Sequence, residues 1–406
     1  MNKLSVIICV YNTDEYMFEN CLKSVFNTTI KNKEVVIIDD GSSKDYSSIV
    51  RNFNVKYLKT ENQGTLKARL FGIKQSTGDY VCFVDSDDFL SFNYFQAGLT
   101  AIKDADILFN DWAFNTQSSK YVCSNDSTIN TSFIEREPLK KFFEKEGREH
   151  SYYVLWNKIF KRKVLISACE EIEKLNFDKL VYAEDILINY FCFKHAKKIV
   201  NTHLGYYFYT IHENQEVVVS SKDKLLKHIN ASSLVFSAIE NDLKSINLFK
   251  ELETKLSSWK QMLCSTLYLS AKKFNDKSII NELEQKYKGY KLGKGLKIIE
   301  KVYKIHKLLP INIDEIDSIL QKIYYTNKYC KVYAPKGGYA YNSLLNMKQI
   351  FNTKFKFVSK KEAEFILPKE IITFKQKFLH NTFIYSIATV LFPKGSKIRA
   401  LLKRKL

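Results

Sequence analysis

Apolar and polar residues alternate in blocks over the first hundred positions. Leu4–Val10, LSVIICV, is a continuous apolar run, the pattern of a strand buried on both faces. The following YNTDEYMFENCLKSVFN sets Tyr16, Cys21, Leu22, Val25 and Phe26 at helical spacing. Val35–Ile38 is a second apolar run, ending in Asp39-Asp40-Gly41-Ser42. A polar helix, the strand-like VKYLKT, a helix over Leu66–Ser76 and the apolar run Tyr80–Val84 complete the series. Buried strands alternating with amphipathic helices predict an α/β domain with a mostly parallel central sheet flanked by helices. In such sheets ligands bind outside the carboxyl ends of the strands. The polar clusters Tyr11-Asn12, Asp39-Asp40 and Asp85-Ser86-Asp87 all fall there.

Beyond residue 150 the pattern is mixed up to 220, with Tyr- and Trp-rich pieces and a helix opening at Glu184. Residues 221–330 read as helical, with Leu/Ile periodicity and few breakers. The stretch 331–358 reads as a small βαβ piece whose Gly-Gly marks either a plain turn or a phosphate-binding one. The expected organisation is residues 1–220 as the sheet domain, 221–330 as a helical domain and 331–406 as a basic C-terminal region.

Charge changes the picture at that end. The chain of 406 residues carries +19 formally. Residues 331–406 hold 16 lysines and arginines against three glutamates, so most of the excess lies there. Nucleic acid and an anionic membrane suit such a tail equally on charge alone. FIYSIATVLF (383–392) is apolar but too short to span a bilayer. After Pro393-Lys394-Gly395, Ser396 can cap a last helix in which Ile398, Leu401 and Leu402 share one face. Lys397, Arg399, Lys403, Arg404 and Lys405 surround that stripe, the pattern of a helix lying in a lipid interface. Packing of the apolar segment on the protein, with a solvated basic end, is the alternative.

Eight cysteines occur with no C-x-x-C, which points to reduced thiols and a cytosolic setting. MNKLSVIICVYN reads as a first strand and not a signal peptide.

The chemistry concentrates in FVDSDDFL, residues 83–90. Asp85 and Asp87 form a D-x-D at a strand end and offer oxygen ligands to Mn²⁺ or Mg²⁺, which leave positions for water and substrate phosphates. Capping of the following turn is the bland reading, and Asp88 belongs to it.

The ordered motifs SVIICVYN, VVIIDDGS, ENQGTLKARLFGI and TGDYVCFVDSDDFL resemble the family 2 glycosyltransferases of the GT-A fold. The resemblance covers residues 4–90 closely. It runs more loosely through WNKIFKRKVL, YAEDILINYF and YYFYTIHENQ. Cys9 departs from it, since the family usually has proline there. The resemblance implies a nucleotide-diphospho-sugar transferase fold with a helical C-terminal region. It implies a nucleotide-sugar site of Val10, Tyr11, Asn12, Asp39, Gly64, Arg69, Asp85 and Ser86, with Asp39 accepting from the edge of uracil. It further implies Asp87, Asp85 and His212 at the metal and Asp185 as general base. Trp156 and Glu184 are acceptor-side candidates. For Trp156 the competing reading is core packing, for Glu184 and Asp185 it is dipole complementarity at a helix start, and for His212 it is a structural role.

The function expected is metal-dependent, inverting transfer from a UDP-sugar to a hydroxyl of a bacterial surface glycan or a lipid-linked acceptor, at the inner membrane face. A sugar-nucleotide pyrophosphorylase would show a Gly-rich loop with a basic residue after the first strand, where YNTDEYM stands. A nucleic-acid-binding protein would interleave basic and aromatic residues on a recognisable module. Neither pattern is seen.

Overall fold

The computed structural model describes residues 2–292 except 29, 116–119, 124–136, 148, 211, 213–214 and 217, with the backbone of 309–310, 330–332 and 355–357. Met1–Gln321 and Lys322–Leu406 are two compact units.

The first unit opens with the alternation the hydrophobic pattern predicts: β1 (Leu4–Val10), α1 (Glu15–Phe26), β2 (Lys33–Asp39), α2 (Ser47–Val50), β3 (Lys56–Lys59), α3 (Thr65–Gln75) and β4 (Tyr80–Phe83). Asp14 caps α1 by accepting from the N–H groups of Tyr16 and Met17, at 3.0 and 3.1 Å. Phe18, Cys21, Leu22 and Val25 form its buried face. Gly72 lets α3 lie close on β1, for a Cβ there would stand 2.6 Å from the Ile7 side chain.

The middle of the chain supplies β5 (Phe89–Leu90), α4 (Tyr94–Ile102), β6 (Ile107–Asn115), β7 (Lys120–Cys123), α5 (Glu137–Phe142), α6 (His150–Tyr153), β8 (Lys158–Lys161), α7 (Arg162–Lys174), α8 (Glu184–His195) and β9 (Ile199–Thr210). Strands β3, β2, β1 and β4 are parallel neighbours in that order. Beyond β4 the sheet turns mixed. β8 is antiparallel to β4 and β6, and β6 is antiparallel to β7 but parallel to β9. The mostly parallel sheet expected from the sequence is thus its first half. The second half lacks the strand–helix alternation that would have announced it.

Three helices follow, α9 (Lys222–Ser245), α10 (Phe249–Lys272) and α11 (Lys277–Lys286). Phe236, Ile239 and Trp259 of α9 and α10 join Phe142, Phe143, Tyr190 and Phe193 in one continuous apolar cluster. The stretch expected as a separate helical domain therefore shares its core with the sheet domain, as far as the described residues reach. β10 (Leu309–Pro310) pairs with β7. In the second unit β11 (Cys330–Val332) and β12 (Phe355–Phe357) pair in parallel, as the two strands of a βαβ piece would. The Gly-Gly turn and the basic tail lie outside the described residues.

The six cysteines whose side chains are described are free thiols. No helix among the described residues is long and apolar enough to cross a membrane.

Candidate active site

Loops after β1, β2 and β4 meet at the carboxyl edge of the sheet, tied together by their own side chains. Asn12 takes the left-handed conformation, φ 51°, which asparagine tolerates. Its Oδ1 accepts from the N–H and hydroxyl of Ser43, both at 2.9 Å. The Thr13 and Ser86 hydroxyls lie 2.6 Å apart and join the first loop to the D-x-D turn. Tyr11 stands beside them 54% exposed, a free ring face at a strand end. Val10 is buried, and its carbonyl accepts from the Asp40 N–H at 3.0 Å.

The two aspartates ending β2 do different work. The Asp39 carboxylate is 0% exposed. It accepts from the Ser42 N–H at 2.7 Å and the Tyr57 hydroxyl at 2.5 Å, with Lys59 Nζ at 3.7 Å. These partners make Asp39 an organiser of its own loop, with the Tyr57 hydroxyl over the carboxylate that the resemblance assigns to uracil. Asp40 accepts from the N–H groups of Gln63 and Gly64, at 2.8 and 2.9 Å. Burial raises its pKa against the pull of those two bonds. Gly64 sits at φ 91°, and a Cβ there would lie 2.9 Å from Lys179 Cγ. Its N–H already belongs to Asp40.

Arg69 projects from α3 into the centre, 8% exposed. Its Nη1 donates to Glu184 Oε1 at 2.6 Å and its Nη2 to Asp85 Oδ1 at 3.1 Å. Burial opposes the charge, but Glu184 and Asp85 outweigh it and hold the guanidinium ionised. Desolvation pushes the Asp85 carboxyl up to about 6, with Arg69 opposing and Asp87 adding to the rise. Cys9 lies alongside, its thiol pushed up to about 12 by burial, so the departure at this position introduces no nucleophile.

Asp87 points the other way, Oδ2 standing 2.7 Å from His212 Nε2. That bond raises the imidazole pKa. Asp88 turns inward, accepting from the Tyr207 hydroxyl at 2.6 Å and the Thr210 N–H at 2.7 Å. Its own N–H donates to the Asp85 carbonyl, closing the turn. Among the described residues no group of three or more His, Cys, Asp and Glu is arranged to hold a metal ion. Asp87 and His212 are a two-ligand set, while the Asp85 carboxylate is engaged by Arg69. Two protein ligands fit an ion that completes its shell with diphosphate oxygens and water.

Asp185 opens α8 behind Ala183, which holds φ 63°. Its Oδ1 accepts from the Ile186 N–H at 2.8 Å. A helix N-terminus by itself favours the ionised carboxylate. Burial and the Glu184 charge win instead and push Asp185 up to about 7, with Arg69 opposing. A carboxylate poised near neutrality is suited to taking a proton.

The two acceptor-side candidates, Trp156 and Glu184, are both buried. Trp156 is 6% exposed, stacked on Tyr207 and Tyr209 with centroids at 4.5 and 5.6 Å and edge-on to Trp112. It packs as a core ring. Glu184 is buried and spends its carboxylate on Arg69.

Sequence reasoning missed Asp40, which anchors the Gly64 turn, and Tyr207, whose hydroxyl accepts from the Asp85 N–H at 3.0 Å while donating to Asp88. Both stood in quoted motifs, DDGS and YYFYT, but a single sequence does not say which member of a polar pair faces a neighbouring loop.

Residues 5–167 match the family model described as Glycosyl transferase family 2. Residues 5–167 form a family 2 glycosyltransferase domain. Glycosyltransferase GlyA of Streptococcus pneumoniae is 26% identical over 347 residues, 82% of this chain and 47% of that protein. Putative glycosyltransferase EpsH of Bacillus subtilis is 28% identical over 221 residues, 52% of this chain and 61% of that protein. The alignments thus span about half the length of these relatives. Among solved structures, S. aureus TarS 1–349 in complex with UDP-GlcNAc is 18% identical, with TM-score 0.42, over 80% of this chain and 93% of that one. The glycosyltransferase domain contains the D-x-D turn, Arg69 and the loops after β1 and β2. Asp185 and His212 lie beyond the matched residues and complete the same sheet edge.

Proposed function

We propose that this protein transfers a sugar, with inversion, from a UDP-sugar to a hydroxyl of a bacterial surface glycan or lipid-linked acceptor. The observation that carries the reading is the convergence of the Asp87–His212 pair, the Arg69-held Asp85 and the raised Asp185 at one sheet edge. Asp87 and His212 hold Mn²⁺ or Mg²⁺, and the bound ion supplies charge neutralisation at the diphosphate leaving group. Tyr11 offers its exposed ring to the nucleotide base. The Gly64 turn, held by Asp40, gives the backbone a close approach to the nucleotide. Arg69 keeps Asp85 in place beside it. Asp185 takes the proton of the attacking hydroxyl, and burial supplies the elevated pKa that makes it an effective acceptor near neutral pH. The basic tail, residues 371–406, docks the enzyme on the inner face of the membrane, where each basic residue contributes about 1 kcal/mol at most.

Hydrolysis of a panel of UDP-, GDP- and dTDP-sugars, with Mn²⁺, Mg²⁺ or EDTA, tests the donor reading. UDP-sugar hydrolysis that EDTA abolishes is the expected result. Metal-independent turnover, or preference for another nucleotide, overturns it. Truncation after Gln376 should release the protein from anionic vesicles while donor hydrolysis continues. Continued sedimentation with the vesicles removes the membrane role.

A further inference from the structure

Asp185 and His212 arrive from different parts of the chain, and one buried side chain outside both loops touches each of them. His228, on the second turn of α9, is 1% exposed. Its ring stacks on Tyr182 with centroids 4.0 Å apart and planes 10° from parallel. Tyr182 lies three residues before Asp185, at the entry to the Ala183 turn. The same imidazole places Nε2 2.9 Å from Glu216 Oε1, and Glu216 belongs to the loop that carries His212. Lys224, also on α9, holds that loop too, with Nζ 3.0 Å from the Gln215 carbonyl and 3.4 Å from Glu216 Oε2. Gln215 in turn donates to the Thr210 carbonyl at 2.7 Å, and the Thr210 N–H is bound by Asp88. A continuous set of contacts therefore runs from the D-x-D turn through the His212 loop and His228 to the turn presenting Asp185.

We propose that His228 is a positioning residue that fixes the base-bearing turn and the His212 loop against each other, stacking on one and hydrogen bonding to the other. The proposal rests on the reading of Asp185 as base and His212 as metal ligand. A buried histidine with both a ring partner and a carboxylate partner has one orientation, so it transmits a displacement of either loop. Packed cores of this kind switch between discrete arrangements and do not bend freely. Neither loop alone would keep the proton acceptor and the leaving-group site in register.

The two halves of the contact separate by substitution. His228→Phe keeps a ring against Tyr182 and loses the bond to Glu216. Glu216→Ala loses the same bond, and with it the longer contact to Lys224, from an exposed loop position. Binding of UDP with Mn²⁺ by calorimetry, and Mn²⁺-dependent UDP-sugar hydrolysis, are read for each, with melting temperatures. Both variants should weaken UDP–Mn²⁺ binding by about three- to tenfold. The double variant should be no worse than Glu216→Ala alone, since the bond to His228 is already lost there. Tyr182→Ala should leave UDP–Mn²⁺ binding near wild type and lower kcat by about tenfold or more. His212→Ala and Asp185→Asn run alongside. If these two are crippled while His228→Phe and Glu216→Ala bind UDP–Mn²⁺ like wild type, the positioning role is wrong and the site reading stands. If His212→Ala itself binds normally, the site reading fails and takes the proposal with it. Losses that multiply in the double variant also overturn it.

Discussion

Helix α8 carries an ionic cluster at each end, and the two differ in one respect. At its start, Asp85, Glu184 and Asp185 gather around Arg69, with Lys158 near Asp185 but pushed by burial toward its neutral form. At its end, Glu171 and Asp242 face Lys194 and His195. Lys194 Nζ reaches Glu171 at 2.5 Å and Asp242 at 2.7 Å, His195 Nε2 reaches Glu171 at 2.5 Å, and the Tyr190 hydroxyl donates to Asp242 at 2.6 Å. Acid at the start and base at the end both suit the helix dipole. At the end cluster each carboxylate has a hydrogen-bond donor, and Lys194 is raised by its carboxylate bonds although burial opposes this. The start cluster has more carboxylates than cations, and the Asp85 and Asp185 carboxyls are pushed up toward neutrality. Carboxylates crowded around too little positive charge mark the chemical end of the helix, and carboxylates each met by a Lys194 or His195 nitrogen or the Tyr190 hydroxyl mark the structural end.

Breaking the start cluster should cost most. Asp185→Asn removes the proton acceptor and should lower transfer by about 10²-fold or more. UDP–Mn²⁺ binding should remain near wild type, because Asp185 touches neither Asp87 nor His212. Loss of binding alongside turnover would make Asp185 a structural or donor-site residue.

The pH profile sharpens the same contrast. Asp185 acts in its ionised form, and burial with the Glu184 charge sets its pKa at about 7. Turnover should therefore rise with pH through about 7 and fall away below it. Glu184→Gln removes the second of the two causes, so Asp185 should ionise at lower pH and the acid limb should move down. A limb that stays in place, or moves up, would mean that Glu184 does not set the charge balance there.

At the end cluster the expected change is in stability and not in catalysis. Asp242→Asn leaves an acceptor for the Tyr190 hydroxyl but weakens the tie to Lys194. A loss of about 1 kcal/mol is expected by thermal or urea unfolding, with kcat unaltered.

The comparison also explains what the sequence discloses. The strands and helices of the first hundred residues are legible because their apolar runs are continuous, and β1 to β4 follow them closely. The D-x-D and the Glu-Asp pair are legible as residue types at element ends. Which carboxylate does what is not, because roles are assigned by partners distant in sequence. Glu184 is spoken for by Arg69, 115 positions away, and His212 meets Asp87 across 125. Asp39 looked accessible as the last residue of a strand, yet Tyr57 from the neighbouring strand covers it. Trp156 is a core ring because Tyr207 and Tyr209 sit two apart on one strand face, a pairing that no local pattern announces.

The smallest effect should come from His195→Gln. His195 is partly exposed and shares Glu171 with Lys194, which keeps its own bond when the imidazole is gone. A pair of this kind contributes about 0.2–1 kcal/mol. For a unit of this size that is a shift in Tm of roughly 0.3–1.5 °C. Donor hydrolysis and its pH profile should not move, since the groups that shift Asp185 are Glu184, Arg69 and Asp85 at the other end of the helix. A changed acid limb in His195→Gln would show instead that the two ends are electrostatically one site, and the distinction between them would be lost.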